Sequence, residues 1–473
     1  MVADPKGGGF TLTMRRGKFL ILIDQATRDA VGQLLTGHYL ERRGHRVAYC
    51  NQVSLKARCE SFRPDVLYSS WSSGGEMDPL FRSIRHRTRI ALVDQEGRRA
   101  GEASFKRALR LNDAAQIRTA GLADKIVAWE KNQARWIIEE GIPAERVVVA
   151  GSARLDAYQA ANGEKKQPRH LGITFRADPL TSDPMNILRN IYGYRSVNPE
   201  EGIRPALPAS AQYEDWLWEV LAITRVMFKI VTEIRKSGPI PLLVRPGPWE
   251  RYRMYDFLPK EIPDLKVAPF MLQSEYLREC FATIDCYSTL GIESLLAGTP
   301  VISIVHLVPG LEKHAGGTEG TRFNAPYRRF FWQPKDLPEL IEQVRKAQRG
   351  ELPVSPELDA FKQFMRDSYG WPGERPASFN TAELLISLLE TSAGANGTGK
   401  EAVRESAVEP LKRFCYRWLP GFAHLPTASV LCRYLFDVNH DSIRRYHYLG
   451  AFYPHHQAVR RLFDTLWKQS HCS

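Results

Sequence analysis

Short apolar runs separated by segments of helical period organise most of this chain. Phe19-Leu20-Ile21-Leu22-Ile23, closed by Asp24, has the length and continuity of a strand buried on both faces. Asp29 to Arg43 then reads as a helix, with Val31, Leu34, Leu35, Tyr39 and Leu40 apolar, Gly44 as its stop and Arg46 to Cys50 as the next strand. Further strands are expected at Asp65–Ser69, Arg89–Asp94, Lys125–Trp129 and Arg146–Gly151, with a helix from Glu130 to Gly141. Strands alternating with helical runs at this spacing predict parallel βαβ units.

A polar stretch, Asn162 to Gln167, precedes Pro168 and reads as an interdomain linker. Leu171 to Arg176 opens a second set. A Pro-rich insertion from about Ala177 to Gln212 reads as a mobile loop over a site, and an apolar helix follows from about Glu214 to Ser237. Strands are expected at Pro241–Val244, Leu265–Ala268, Ala282–Cys286 and Val301–Val305. Helices are expected at Leu337–Arg349 and at Thr381–Glu390, the last one crossing back to the first domain. The expected organisation is a leader at 1–17, domains at 18–162 and 168–390, and an extension at 400–473 after the small, uncharged linker Thr391 to Gly399.

The chain's 473 residues leave room for two or three domains. The net charge of +12 favours anionic partners, but the basic residues are spread along the chain and no zinc-finger or RNA-recognition spacing occurs, so no nucleic-acid partner is expected. Seven cysteines, irregularly spaced and without Cys-x-x-Cys, argue against a disulfide scaffold or zinc site and for reduced thiols in a cytoplasmic protein. No stretch approaches the ~20 apolar residues of a membrane span. The extension interleaves aromatics such as Phe414, Trp418, Phe463 and Trp467 with arginines such as Arg413, Arg460 and Arg461. It reads either as an anchor on an anionic membrane surface or as helices packed on the core.

Several strand ends carry candidate chemistry. Val93-Asp94-Gln95-Glu96-Gly97 puts carboxylates where parallel sheets bind ligands, and Asp94 or Glu96 could act as a general base; a turn built for backbone reasons is the alternative. Arg245, in Leu243-Val244-Arg245-Pro246-Gly247-Pro248, could clamp a phosphate or be merely solvated. After Gly151, Ser152 and Arg154 could face the cleft, while Asp156 could cap the next helix or pair with Arg154. Ser288-Thr289 precedes a short helix containing Gly291 and Glu293, where hydroxyls and free N–H groups could meet an anion. Gly316 to Thr321 is Gly-rich but lacks the Lys-Ser/Thr of a P-loop. No Gly-x-Gly-x-x-Gly follows the first strand and no Gly-x-Ser-x-Gly occurs, which argues against a dehydrogenase and an α/β-hydrolase.

Taken in order, these pieces resemble the bacterial surface-carbohydrate biosynthesis proteins of the GT-B glycosyltransferase superfamily, over roughly residues 18–390. This group is related to transferases using CMP-Kdo or sialic acid and to UDP-GlcNAc 2-epimerase-like proteins. The match lies in Asp94-Gln95-Glu96-Gly97, in Gly151-Ser152-Ala153-Arg154-Leu155-Asp156, and in Ser288, Thr289 and Glu293. The CMP-sugar enzymes carry a His-Pro phosphate motif where this chain has Arg245-Pro246-Gly247-Pro248.

The resemblance implies an α/β, GT-B-like fold: two Rossmann-like doubly wound domains facing a cleft, plus the helical extension. It implies a metal-independent glycosyltransferase needing no cofactor, whose nucleotide-sugar donor, CMP-linked or otherwise, passes its sugar to a surface glycan or lipid-linked acceptor, as in capsule or lipopolysaccharide synthesis. Glu96 or Asp94 would be catalytic. Arg245, Ser288, Thr289, Gly291 and Glu293 would bind the donor, Glu293 through the ribose hydroxyls, and Ser152 and Arg154 would line the cleft. The expected location is the cytoplasm, at the inner face of the membrane. Alternatives are a UDP-sugar 2-epimerase-like enzyme, a polyol-phosphate transferase, or a degenerate GT-B protein that binds a glycan or partner.

Overall fold

A computed structural model describes residues 16–24, 26–52, 54–71, 77–94, 102, 105–106, 109, 116–159, 168–174, 209–246, 255, 258–268, 271–286, 288, 290–310, 326–391 and 453–471. Residues 1–15 of the expected leader, the linker 160–167, most of the Pro-rich insertion, the Gly-rich segment 316–321 and residues 392–452 lie outside the described residues.

The first domain is a parallel sheet of β1 (Lys18–Leu22), β2 (Arg46–Cys50), β3 (Val66–Ser70), β4 (Arg89–Val93), β5 (Lys125–Ala128) and β6 (Val147–Val149), in the order β2-β1-β3-β4-β5-β6. Its helices include α1 (Ala26–Arg42), α2 (Leu55–Phe62), α3 (Asp78–Ile84) and α4 (Lys131–Glu139). The second sheet joins β7 (His170–Ile173), β8 (Leu242–Val244), β9 (Leu265–Val267), β10 (Cys280–Asp285) and β11 (Val301–Ser303), in the order β11-β10-β7-β8-β9. It is also parallel throughout. Strand order reverses beside β1 in the first sheet and beside β7 in the second, opening a crevice at the strands' carboxyl ends in each domain.

The second domain's helices are α5 (Ala209–Ser237), α6 (Leu258–Glu261), α7 (Gln273–Glu279), α8 (Leu290–Leu296), α9 (Leu337–Gln348) and α10 (Leu358–Tyr369). Helix α5 buries Ile223, Met227, Ile230, Val231 and Ile234, a stripe at helical spacing, in a core shared with β7, β8 and α9. The chain then crosses back: α11 (Ala377–Thr391) lies against α1, β3 and β4 of the first domain. The described end of the extension, α12 (Tyr453–His471), also packs on α1, burying Val459, Phe463 and Leu466. Phe463 and Trp467 stack near Phe379, with ring centroids at 5.5 and 5.9 Å. This helix therefore spends its apolar face on protein. None of the described helices is long and apolar enough to cross a membrane.

Helix α1 is buried from Asp29 to Leu40 because the sheet, α11, α12 and the 3-10 turn Ala153–Tyr158 surround it. That crowding explains Gly32. A Cβ there would sit 2.7 Å from the Ala153 carbonyl carbon and 2.8 Å from the Arg154 nitrogen. Both are backbone atoms that cannot swing aside, so Gly32→Ala is expected to cost about 1–3 kcal/mol, read by urea denaturation.

Candidate functional site

Arg245 leaves the end of β8 beside the strand-order reversal. Val244 pairs with Ile173 of the central strand β7, and the Arg245 N–H donates to the Ile173 carbonyl at 3.1 Å. Its side chain is 9% exposed, and among the described residues no carboxylate forms an ion pair with it. Burial pulls the guanidinium below the usual arginine value and the Arg154 charge adds to this; Tyr276, Glu293 and Tyr158 pull it back. A nearly buried cation without an acid partner is costly unless an anion completes it.

On the other side of β7, β10 ends in a turn fixed by its own polar groups. The Ser288 N–H donates to Asp285 Oδ1 at 3.0 Å, and Ser288 Oγ accepts from the Leu290 N–H at 3.1 Å, capping α8. Arg328, returning on the 3-10 turn Pro326–Phe330, donates to the Cys286 carbonyl. Thr289 lies outside the described residues. Gly291 has a packing reason: a Cβ there would lie 2.3 Å from the buried Phe331 ring.

Glu293 is almost wholly buried, and both of its oxygens are taken by residues of the turn after β6. Arg154 Nε donates to Oε1 at 2.6 Å, and Nη2 donates to the same oxygen. The Tyr158 hydroxyl donates to Oε2 at 2.7 Å. Burial, with the Glu293 charge beside it, pushes the Tyr158 hydroxyl far above the usual tyrosine value, so it stays a donor. The Arg154 guanidinium also lies 5.6 Å from the centre of the Trp129 ring. Ser152 is buried nearby in sequence, and its Oγ has no hydrogen-bond partner among the described residues.

Asp156, on the same turn, reaches a different element. Its carboxylate accepts from the Ala377 N–H at 3.0 Å and the Ser378 N–H at 2.7 Å, so it caps α11 from 221 residues away in sequence. Burial raises its pKa from 3.8 to about 6, against the pull of the Ser378 and Ala377 bonds. The folded state therefore holds this proton more tightly than the unfolded chain. Stability from this site is full below the unfolded value and is lost as pH rises through the folded one. The loss is about 3 kcal/mol for a shift of about two units. Asp156→Asn cannot titrate there. The wild-type stability minus that of the variant should fall by about that amount between about pH 4 and pH 7 in urea melts.

Asp94 follows β4, and its Oδ2 accepts from Gln133 Nε2 at 3.3 Å. Gln133 is itself held, its Oε1 accepting from the Trp129 N–H at 2.6 Å. Glu130 caps α4 through the Asn132 and Gln133 N–H groups, which commits that carboxylate to structure. Glu96 lies outside the described residues. The structure thus brings Arg154, Glu293 and Arg245 together and places Asp94 at the carboxyl end of β4 on the first sheet. Tyr158 and Gln133 are additions that no sequence motif marked. Among the described residues, no group of three His, Cys, Asp or Glu side chains is arranged to hold a metal ion.

No protein-family model matches the chain, and no curated protein matches it in sequence. Among solved structures, a His-to-Ala variant of the wall teichoic acid polymerase TagF matches with a TM-score of 0.50 at 11% identity, over 81% of this chain and 92% of that one. The UDP-GlcNAc 2-epimerase of Methanocaldococcus jannaschii, in complex with UDP-GlcNAc and UDP, matches with a TM-score of 0.46 at 11% identity, over 78% and 99%. Such identities speak to architecture alone. The two parallel, doubly wound domains and the returning C-terminal helices give this chain the α/β fold of GT-B type that its strand-end motifs led one to expect.

Proposed function

We propose that this protein is a GT-B-type glycosyltransferase that takes a nucleotide sugar and passes the sugar to a surface glycan or lipid-linked acceptor. The observation that carries the reading is Arg245: a nearly buried guanidinium, without an acid partner among the described residues, at the crevice of the second sheet. A phosphate seated there would give that charge the direct partner that the described residues do not supply. In this reading Ser288, Thr289 and Gly291 belong to the donor site with Arg245.

In the proposed reaction the acceptor hydroxyl attacks the anomeric carbon of the donor. Its proton passes to Asp94 or Glu96, and the bond from sugar to phosphate breaks. The electron pair leaves on the phosphate oxygen, where Arg245 stabilises the developing charge. Gln133 holds Asp94 by its Oδ2, which fixes how the carboxylate is presented.

A thermal-shift series with CMP, CDP, UMP, UDP and GDP tests the reading. One of these should stabilise the wild type by about 2.7 kcal/mol at a hundred times its Kd. No shift with any of them would remove the nucleotide-sugar reading and favour a scaffold that binds a glycan or partner.

A further inference from the structure

We infer that Arg154 and Tyr158 are positioning residues: with Glu293 they form a clasp that fixes the second domain's crevice against the first, and the Glu293 carboxylate serves this clasp instead of a ribose. The first ground is occupancy, since Arg154 takes Oε1 and Tyr158 takes Oε2 with both partner side chains buried. A ribose reaching Glu293 would have to break a desolvated ion pair for two hydroxyl contacts, an exchange that loses more than it returns.

The second ground is mechanical. The turn Ala153–Tyr158 is tied to the first domain against the α1 backbone at Gly32 and through Asp156 to α11, and the Trp371 indole N–H, on the segment leading into α11, donates to the Leu155 carbonyl at 3.3 Å. Glu293 is equally fixed in the second domain, on a helix capped by Ser288 and wedged against Phe331 at Gly291. The Arg154–Glu293 contact therefore joins two rigid pieces, close to both places where the chain passes between domains.

The third ground is charge. Arg245 also feels Glu293, so two buried guanidiniums draw on one carboxylate that pairs directly with Arg154. Without it, like charges face each other across the domain boundary. The clasp rests on the proposed function only in its consequence, which is to set how Arg245 faces the Asp94 strand end.

Small-angle scattering of the full chain without ligand tests it. Arg154→Met/Glu293→Gln removes the clasp without leaving either partner charged and alone, and is expected to give a larger radius of gyration than wild type. Arg89→Met/Asp124→Asn, which removes a half-exposed pair inside the first domain, is expected to scatter as wild type. Arg154→Lys keeps the charge and should restore most of the compaction, which a packing role alone would not. A folded Met/Gln variant with the wild-type scattering curve overturns the proposal.

If that variant does not fold, Tyr158→Phe decides the matter. It loses one hydroxyl, and amides of both the 153–158 and 290–296 segments should exchange about tenfold faster; unchanged exchange in either overturns the clasp. A wild type that binds no nucleotide would sink the glycosyltransferase reading while leaving these results interpretable.

Discussion

Glu293→Ala is expected to be the most damaging single substitution at the domain boundary, lowering the unfolding free energy by about 3–5 kcal/mol. Removing the carboxylate strands the buried Arg154 guanidinium and takes from the buried Arg245 the negative charge that Glu293 sets near it. It also leaves the Tyr158 hydroxyl without its acceptor. Arg154→Ala should cost less, because Arg245 remains near enough to compensate Glu293. Tyr158→Phe should cost about 1.5–3 kcal/mol, the worth of a hydrogen bond to a charged group. The order Glu293→Ala, then Arg154→Ala, is the informative part, and urea denaturation of the two variants checks it. Equal costs would mean that Arg245 does not share the carboxylate.

Arg245→Ala is expected to separate stability from binding. The side chain is a buried cation in excess, with no ion-pair partner among the described residues, so its loss should leave the ligand-free fold as stable or more so. Nucleotide protection should nevertheless weaken by about 10–100-fold in affinity, the loss expected for charge-assisted bonds to phosphate. A variant that is destabilised but still protected would assign Arg245 to the domain boundary and not to a ligand.

The strands were legible because each is a short apolar run: β1, β3, β4 and β5 are buried at nearly every position, as strands covered on both faces must be. Boundaries drifted where the chain's own signals are weak. Helix α11 was expected from Thr381 but begins at Ala377, because its cap is Asp156, a residue no local pattern connects with it. Asp156 itself had two sequence readings, capping the next helix and pairing with Arg154; the helix it caps is α11, 221 residues on. Helices α7 and α10 have no side-chain cap at their starts, though Gly370 in the left-handed conformation ends α10, and they bury Tyr276 and Phe361 as core anchors.

The candidate site divides in the same way. Arg245, Ser288 and Asp94 could be picked out because each ends a strand, and strand ends are where such folds bind ligands. What could not be read is pairing across the domains. Arg154 and Glu293 lie 139 residues apart, and only the two sheets' mutual placement makes them partners. Tyr158 is marked by no local motif.

The most direct test of the central claim is a calorimetric titration of the full chain and of Arg245→Ala with CMP and UDP. The account predicts that wild type binds one of them in a single site and that the variant, still folded, binds it about 10–100-fold more weakly. Equal affinity in the two proteins would contradict it.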